Sequence, residues 1–541
     1  MRWNILNKTQ VGDNEEIIKI LLANRGLKTK KEIEEYLSPT KPEDFTAKDL
    51  GIDEREIKKA TARIKKAIKK NEGIIVYGDY DADGICATAI LWETLYKLTK
   101  NVLPYIPERI SEGYGLNKES IKNLKFKIKN LKLIVTVDHG ITADEKIKYA
   151  KGLGIDVIVC DHHQLGKERP ECSAVVYTDK ICAAAIAWFI AKEFQSDYLD
   201  LVAIATIADL EPLVGINRSF AKCGIEALRK TGRCGLLAIF EEAGLDKKTI
   251  GTYEIGFIIA PRLNAMGRME HALESLRLLC TNDCGKAKDL AGKLGLTNKE
   301  RQVLTEETVK QAKLLVAGIE GELPKFLVVD SDQYEEGVIG LVAGKLVEEY
   351  CRPSLVISRG EIYSKASGRS ISGFNIIEAI RAQADLLVDA GGHPMAAGLT
   401  VETAKIEMLK KRLIGEAEKQ ITDDMLQKTL YIDLSLPLFY VTEKLWEETR
   451  KMAPFGIGNP EPSFSSKAVV KDFRKVGNDG KHLKLELQGF SAIGFGMGHL
   501  AGSLKIDQEV EIAYNLSLNV WNNQKKVEVK IKDLKWMTSK N

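Results

Sequence analysis

The sequence predicts an α/β protein built in several units: a parallel-sheet unit, a helical connector, a second α/β unit and a C-terminal β-barrel. Three observations predict it. From Gly73 onward, short apolar runs alternate with helical stretches, the pattern of βαβ units over a parallel sheet. Strand and helix alternate again from Phe326 to about Val401, after a helix-rich stretch from Asp200 to Leu315. Beyond Ser463, five short strand-like runs are packed into the remaining chain, as in a small barrel. A chain of 541 residues also exceeds what one hydrophobic core supports.

Residues 1–70 read as a helical lead-in, in which Ile57, Ala60, Ile64 and Ile68 recur on one face of a lysine-rich helix. Ile74–Tyr77, Leu133–Val137 and Val157–Cys160 read as buried strands. Lys405–Lys419 reads as a charged helix. The turn Met452–Pro462 holds three prolines and two glycines, cannot continue a helix, and marks an ordered junction. The barrel strands are expected at Ala468–Phe473, His482–Leu487, Ala492–Phe495, Glu509–Asn515 and Val527–Ile531.

Composition narrows the function classes. Hydrophobic residues at 44% and charged residues at 29% fit a globular protein rather than a disordered one. No run approaches the roughly 18 apolar residues of a membrane span, and Met1–Gln10 has no apolar core of signal-peptide type, so a cytoplasmic location is expected. Nine cysteines without a CxxC pair suggest free thiols in a reducing compartment, with Cys280 and Cys284 in one helix. A net charge of +3 neither demands nor excludes nucleic acid. No GxxxxGK[ST] loop or strand-linked GxGxxG supports nucleotide-driven chemistry.

The chemistry lies at the ends of the three strands. Tyr77 is followed by Gly78-Asp79-Tyr80-Asp81-Ala82-Asp83, Val137 by Asp138-His139, and Cys160 by Asp161-His162-His163. The carboxyl ends of parallel strands form the ligand crevice of an open α/β sheet, so all three sets converge on one edge. A lone aspartate after a strand is ordinarily a helix N-cap. Three carboxylates within five residues repel one another unless cations neutralise them, and ordinary capping does not explain them. Oxygen-rich ligands with one or two imidazoles suit Mn²⁺ or Mg²⁺, and so many carboxylates can hold two ions, as phosphoester hydrolysis uses.

These residues resemble the motifs of the DHH phosphoesterase superfamily. Val76–Gly84, Thr136–Ile141, Asp161–His163 and Ile204–Pro212 resemble its motifs I to IV, and Gly391–Gly398 resembles the glycine-rich motif of its DHHA1 companion domain. With Ala260–Arg268, Leu296–Gln302, Gly337–Gly340, Ser367–Ser370 and Pro454–Pro460, the likeness runs from about Tyr77 to Lys535 and points to the branch of single-strand-specific DNA exonucleases. It implies a DHH catalytic domain over 71–225, a helical connector over 226–320, a DHHA1 domain over 321–425 and an OB-fold domain with its linker over 426–541. It also implies that Asp81, Asp83, Asp138, His162 and Asp209 hold the metals with Asp79 adjoining, and that His163 faces the substrate phosphate. Tyr77 stands where many members carry a metal-binding histidine, so Asp79 is expected to take over part of that role, and His139 is expected to support rather than ligate.

On the substrate side, Arg109 lies in a loop expected to reach the crevice, and Arg262, Arg268 and Arg301 lie within family motifs of the connector. Guanidinium groups match phosphate oxygens bidentately and fix register without reading sequence. Ser367, Arg369 and Ser370 resemble the family's pocket for a 5′-terminal phosphate. Gly391 and Gly392 let a backbone approach a phosphate, with His393 donating to it. In the barrel region, Phe473, Tyr514 and Trp521 are equally base-stacking or core residues. The resemblance implies a monomeric, processive 5′→3′ exonuclease on single-stranded DNA that releases 5′-mononucleotides in recombination and repair. Single-strand-binding protein and a helicase are its expected partners. Two other readings are weaker. Small-substrate relatives have two domains and lack a barrel, and an inactive scaffold has no reason to keep so much like charge together.

Overall fold

The computed structural model describes residues 1–536 apart from 110, 167, 196, 522 and 523, and the side chains of 520, 521 and 524 are also not described. The first sheet is all-parallel, in the order Val102–Tyr105, Gly73–Tyr77, Leu131–Val137, Asp156–Asp161, Ala174–Tyr177. Its Gly73–Tyr77 strand is buried throughout, which is why its sequence is a continuous apolar run without alternation. Helices Ala82–Tyr96 and Ala183–Lys192 cover one face, while Lys118–Lys127 and Asp144–Gly152 cover the other. The register pairs Tyr77 with Thr136 and Val137 with Cys160, so the three ligand-bearing strands end level with one another.

Residues 1–70 serve two cores. Arg2–Ile5 is a strand that pairs in parallel with Thr429–Ile432. Ile17, Leu21, Leu22 and Tyr36 pack into the barrel core, whereas Ile57, Ala60 and Ile64 of helix Glu54–Lys69 pack into the first sheet's core. Full burial of each of these Ile and Leu side chains contributes about 1.5–3 kcal/mol. The connector contains Gly215–Lys230, Cys234–Glu242, a continuous helical run from Thr252 to Met269, Leu273–Cys280 and the 34-residue helix Cys284–Ala317. That run includes a π-helical turn at Ile255–Ile259 just before Pro261, which has no N–H to donate.

The second sheet runs Leu387–His393, Ala396–Glu402, Tyr363–Arg369, Ser354–Ser358, Leu327–Ser331; only the last pair is parallel. Its Leu387–Glu402 hairpin carries Gly391, Gly392 and His393 at the tip. In the C-terminal region Phe464–Val476 is long enough to pair with both His482–Leu487 and Glu509–Trp521. Phe490–Gly494 and Gln524–Trp536 complete the ring, giving a closed five-stranded barrel.

Three expectations change. Cys234 and Cys284 form a disulfide between two connector helices, so not all nine cysteines are free thiols. Cys280 ends one helix and Cys284 begins the next, because residues 281–283 turn the chain and Asp283 caps the second helix. Tyr514 is fully buried with its hydroxyl against Ser466 Oγ, which makes it a barrel-core residue and not a base-stacking one. Phe473 is partly buried against the same core, and the Trp521 side chain lies outside the described residues. Among the described residues no helix is long and apolar enough to cross a membrane.

Candidate metal centre and phosphate pocket

Each acidic residue arrives at the sheet edge for a local reason. Asp81 caps helix Ala82–Tyr96, accepting hydrogen bonds from the N–H groups of Asp83 and Gly84. Asp83 reaches the start of helix Ala183–Lys192, where both carboxylate oxygens accept from Ala183 and Ala184 N–H at 2.7 Å. Asp138 takes a left-handed backbone conformation, φ 69°, which is uncommon for a residue with a side chain and turns its carboxylate into the crevice. Asp209 follows the last turn of helix Leu199–Ala208.

These groups meet around His162. Its Nε2 lies 3.2 Å from Asp138 Oδ1 and 3.7 Å from both Asp83 Oδ2 and Asp209 Oδ2, while Nδ1 faces Glu211 Oε1 at 3.6 Å. Three sets of donors have ligand atoms within 4.8 Å of one another: Asp79, Asp81 and Asp138; Asp83, His162 and Asp209; Asp138, His162 and His163. The first two sets are disjoint, which suits two neighbouring ions. Burial drives Asp79 and Asp138 well above the usual carboxylate range, with neighbouring aspartates adding to it. The same causes push Asp83 up to about 6 and Asp209 up to about 8. Burial opposes charge on His162 too, but its hydrogen bonds to Asp138 and Glu211 hold the imidazole well above its ordinary value. Asp79 Oδ1 is buried without a hydrogen-bond partner. So much crowded negative charge with an unpartnered oxygen fits divalent cations bound by oxygen and imidazole.

Tyr77 is not part of this cluster. Its ring is buried against Tyr105 and His139, and its hydroxyl donates to Gly115 O. His139 is buried with Nε2 3.0 Å from Tyr77 O, and burial lowers it to about 4. It braces the first strand against the second rather than joining the donor sets.

Sequence reasoning passed over three residues. Asp161, first of the acidic-histidine triplet, stays behind the crevice: Oδ1 holds His163 Nδ1 at 2.8 Å and Oδ2 accepts from Ile141 N–H. Glu211 stands behind His162. The Tyr114 hydroxyl donates to Asp138 O at 2.9 Å and lies 3.3 Å from His163 Nε2. The first two carried a signal, a carboxylate adjoining a ligand; Tyr114 carried only its place in the loop expected to reach the crevice.

The second α/β unit closes the site. His393 stacks on His163. Arg268 of the connector is pushed down to about 10 by burial and by the nearby guanidinium groups of Arg109, Arg369 and Arg301. Four cations so close repel one another and invite an anion. Arg369 Nη1 donates to Ser367 Oγ at 3.2 Å, and a Cβ on Gly340 would come within 2.9 Å of that oxygen and 3.1 Å of Arg369 Nη2. Gly340 therefore lets the start of helix Ile339–Tyr350 approach the cationic group, and a helix N-terminus favours phosphate. Arg262 is not in this group: it pairs with Glu242 at 2.6 Å. Ser370 is buried and donates to Phe374 O. Gly392, at φ 143°, could not carry a Cβ, which would lie 2.3 Å from Ala396 O; Gly391 has open space instead.

Comparison with known proteins matches the geometry. The DHH family N-terminal domain matches residues 73–210, the DHHA1 domain 323–419 and the RecJ OB domain 432–533. A single-stranded-DNA-specific exonuclease RecJ of Bacillus subtilis is 36% identical over 98% of this chain and 70% of its own. The chain belongs to the RecJ family. The RecJ of Thermus thermophilus is 33% identical over 88% of this chain and 71% of its own. A crystal structure of RecJ in complex with Mn²⁺ from that organism superposes with a TM-score of 0.84 at 30% identity, covering 99% of this chain and 80% of the other. RecJ from the same source has also been solved with Mg²⁺.

Proposed function

We propose that this chain is a metal-dependent exonuclease that hydrolyses single-stranded DNA from the 5′ end to 5′-mononucleotides, in recombination and repair. The observation that carries the reading is the pair of disjoint donor sets next to a group of four arginines. Asp79, Asp81 and Asp138 would hold one Mn²⁺ or Mg²⁺, and Asp83, His162 and Asp209 the other. Two such ions supply an activated water and neutralise charge on the phosphate and the leaving oxygen.

The chain's own residues do the rest. Asp161 orients His163 in the crevice, where its imidazole faces the substrate phosphate. Tyr114 holds Asp138 and His163 in their relative positions. Arg369, Arg268, Arg109 and Arg301, with Ser367 and the start of helix Ile339–Tyr350, receive the terminal phosphate and set the register of cleavage. Ser370 shapes this pocket through Phe374, and Gly391 and Gly392 admit the strand beside His393. The division of the chain at 70, 225, 320 and 425 assigns chemistry to the first sheet and strand binding to the rest. The protein acts as a cytoplasmic monomer, with single-strand-binding protein and a helicase as partners that deliver single strands.

The test is release of label from 5′-labelled single-stranded DNA with Mn²⁺. Immediate release as mononucleotide supports the reading. Release only from dimers and trimers, or from the 3′ end first, overturns it.

A further inference from the structure

Beyond the catalytic crevice, the connector exposes a feature that the metal centre and phosphate pocket do not use. Tyr253 and Phe257 stack on each other, ring centroids 5.1 Å apart at 27°, while remaining 62% and 70% exposed. Large aromatic rings this exposed gain nothing for the fold, and each keeps a face open to solvent. They lie at the start of the same helical run that carries Arg268 near its end, with Arg262 and Asn264 between them, and none of these five residues is buried as a whole. Asn264 Oδ1 is itself buried without a hydrogen-bond partner. At a rise of about 1.5 Å per residue, Phe257 stands ~16 Å along the run from the phosphate-binding end and Tyr253 ~22 Å. Gly256 lies against Ile207, two residues before Asp209, so the start of the run also borders the metal centre's side of the molecule.

The cleft beside Tyr253 carries more cations than anions. Tyr253 lines a cleft of ≈ 530 Å³ between connector, proline-rich junction and barrel, where Lys222, Arg229, Arg450, Lys451 and Lys530 outnumber Glu226, Glu254 and Glu461. Aromatic faces flanked by cations are what a single-stranded polyanion with stackable bases requires, and such stacking tolerates any base.

We propose that Tyr253 and Phe257 form a base-stacking platform for the substrate strand on the 3′ side of the reacting phosphodiester, handing the strand on to the cleft beside the barrel. This rests on the exonuclease reading above. At the duplex rise of ~3.4 Å per nucleotide, ~16 Å corresponds to about five nucleotides, and to fewer in an extended strand. Long strands reach the platform; dinucleotides fall short of it.

The experiment compares the 541-residue chain with its Tyr253→Ala/Phe257→Ala variant, on a 20-nucleotide single strand and on a 5′-phosphorylated dinucleotide. The expected result is a fall of about tenfold or more in the ratio of kcat/KM for the 20-mer to that for the dinucleotide. The Tyr253→Phe variant should keep the parental ratio. In EDTA, 2-aminopurine placed three to five nucleotides from the 5′ end should be quenched by the parent and not by the double variant. An unchanged ratio overturns the platform, as it would if the aromatic pair served a protein partner. An equal loss on both substrates also overturns it, since that marks a fold defect. If the parent releases no nucleotide from either substrate, the exonuclease reading fails first.

Discussion

His163 and His393 stack across the junction of the two α/β units, ring centroids 5.7 Å apart and planes within 25°. The first is fixed from behind by Asp161; the second sits at the exposed tip of a hairpin. The crevice is therefore built by two sheets, and the second sheet contributes a side chain to it directly. Burial, then the neighbouring His163 and His162, hold His393 below its usual pKa.

Replacing His393 by alanine should lower kcat/KM on single-stranded DNA by about tenfold or more, by removing a donor to the phosphate. Because the residue is exposed, stability should change by less than about 0.5 kcal/mol. Steady-state kinetics beside thermal unfolding checks both halves; unaltered kinetics would remove His393 from the site.

Asp83 and Asp138 should behave differently when truncated. Asp138→Ala should abolish cleavage while DNA binding persists, because the arginine group is untouched. Asp83→Ala should also abolish cleavage but cost a further ~1–3 kcal/mol of stability. Its two oxygens are the partners of the Ala183 and Ala184 N–H groups, which would be left buried and unpaired. Equal melting temperatures for the two variants would refute the capping role.

The difference between these two aspartates also shows where the sequence stops being legible. Strand-end carboxylates could be read from the chain because βαβ periodicity fixes which end of each strand faces the crevice. Asp209 needed the family resemblance, since it ends a helix and looks like any helix terminus. Tyr114 and the Gly340 contact were invisible, because each depends on a loop or helix brought in from elsewhere by packing. The Cys234–Cys284 pair spans 50 residues and follows no spacing rule. Tyr514 could be assigned to the core only after the barrel's closure placed Phe464 and Ser466 around it.

Arg369→Ala should remove a preference for a 5′-phosphate. The parent should favour a 5′-phosphorylated strand over its 5′-hydroxyl counterpart, since Arg369, Ser367 and the helix start at Ile339 lie together as the proposed pocket for one anion. Loss of one charge-assisted contact predicts a KM increase of about tenfold or more on the phosphorylated strand, with little change on the other. Equal sensitivity of both strands would argue against a terminal-phosphate pocket.

Removing the metals should make stability fall as pH rises. In the metal-free fold Asp83 is pushed up to about 6 and Asp209 to about 8, with Asp79 and Asp138 also raised. Unfolded aspartates lose their protons near pH ~4, so between about 4 and 8 the folded chain binds more protons than the unfolded one. Stability then declines with pH over that window. His162 acts in the same direction: its raised folded pKa gives stability that is full below its unfolded value of ~6.5 and is lost as pH passes the folded one. Bound divalent ions replace the missing protons and cancel the penalty. Chelated protein should therefore melt lower at pH 8 than at pH 5.5, and Mn²⁺ should raise the melting temperature more at pH 8. A larger Mn²⁺ effect at pH 5.5 would mean that the crowded carboxylates are not the ion-binding groups.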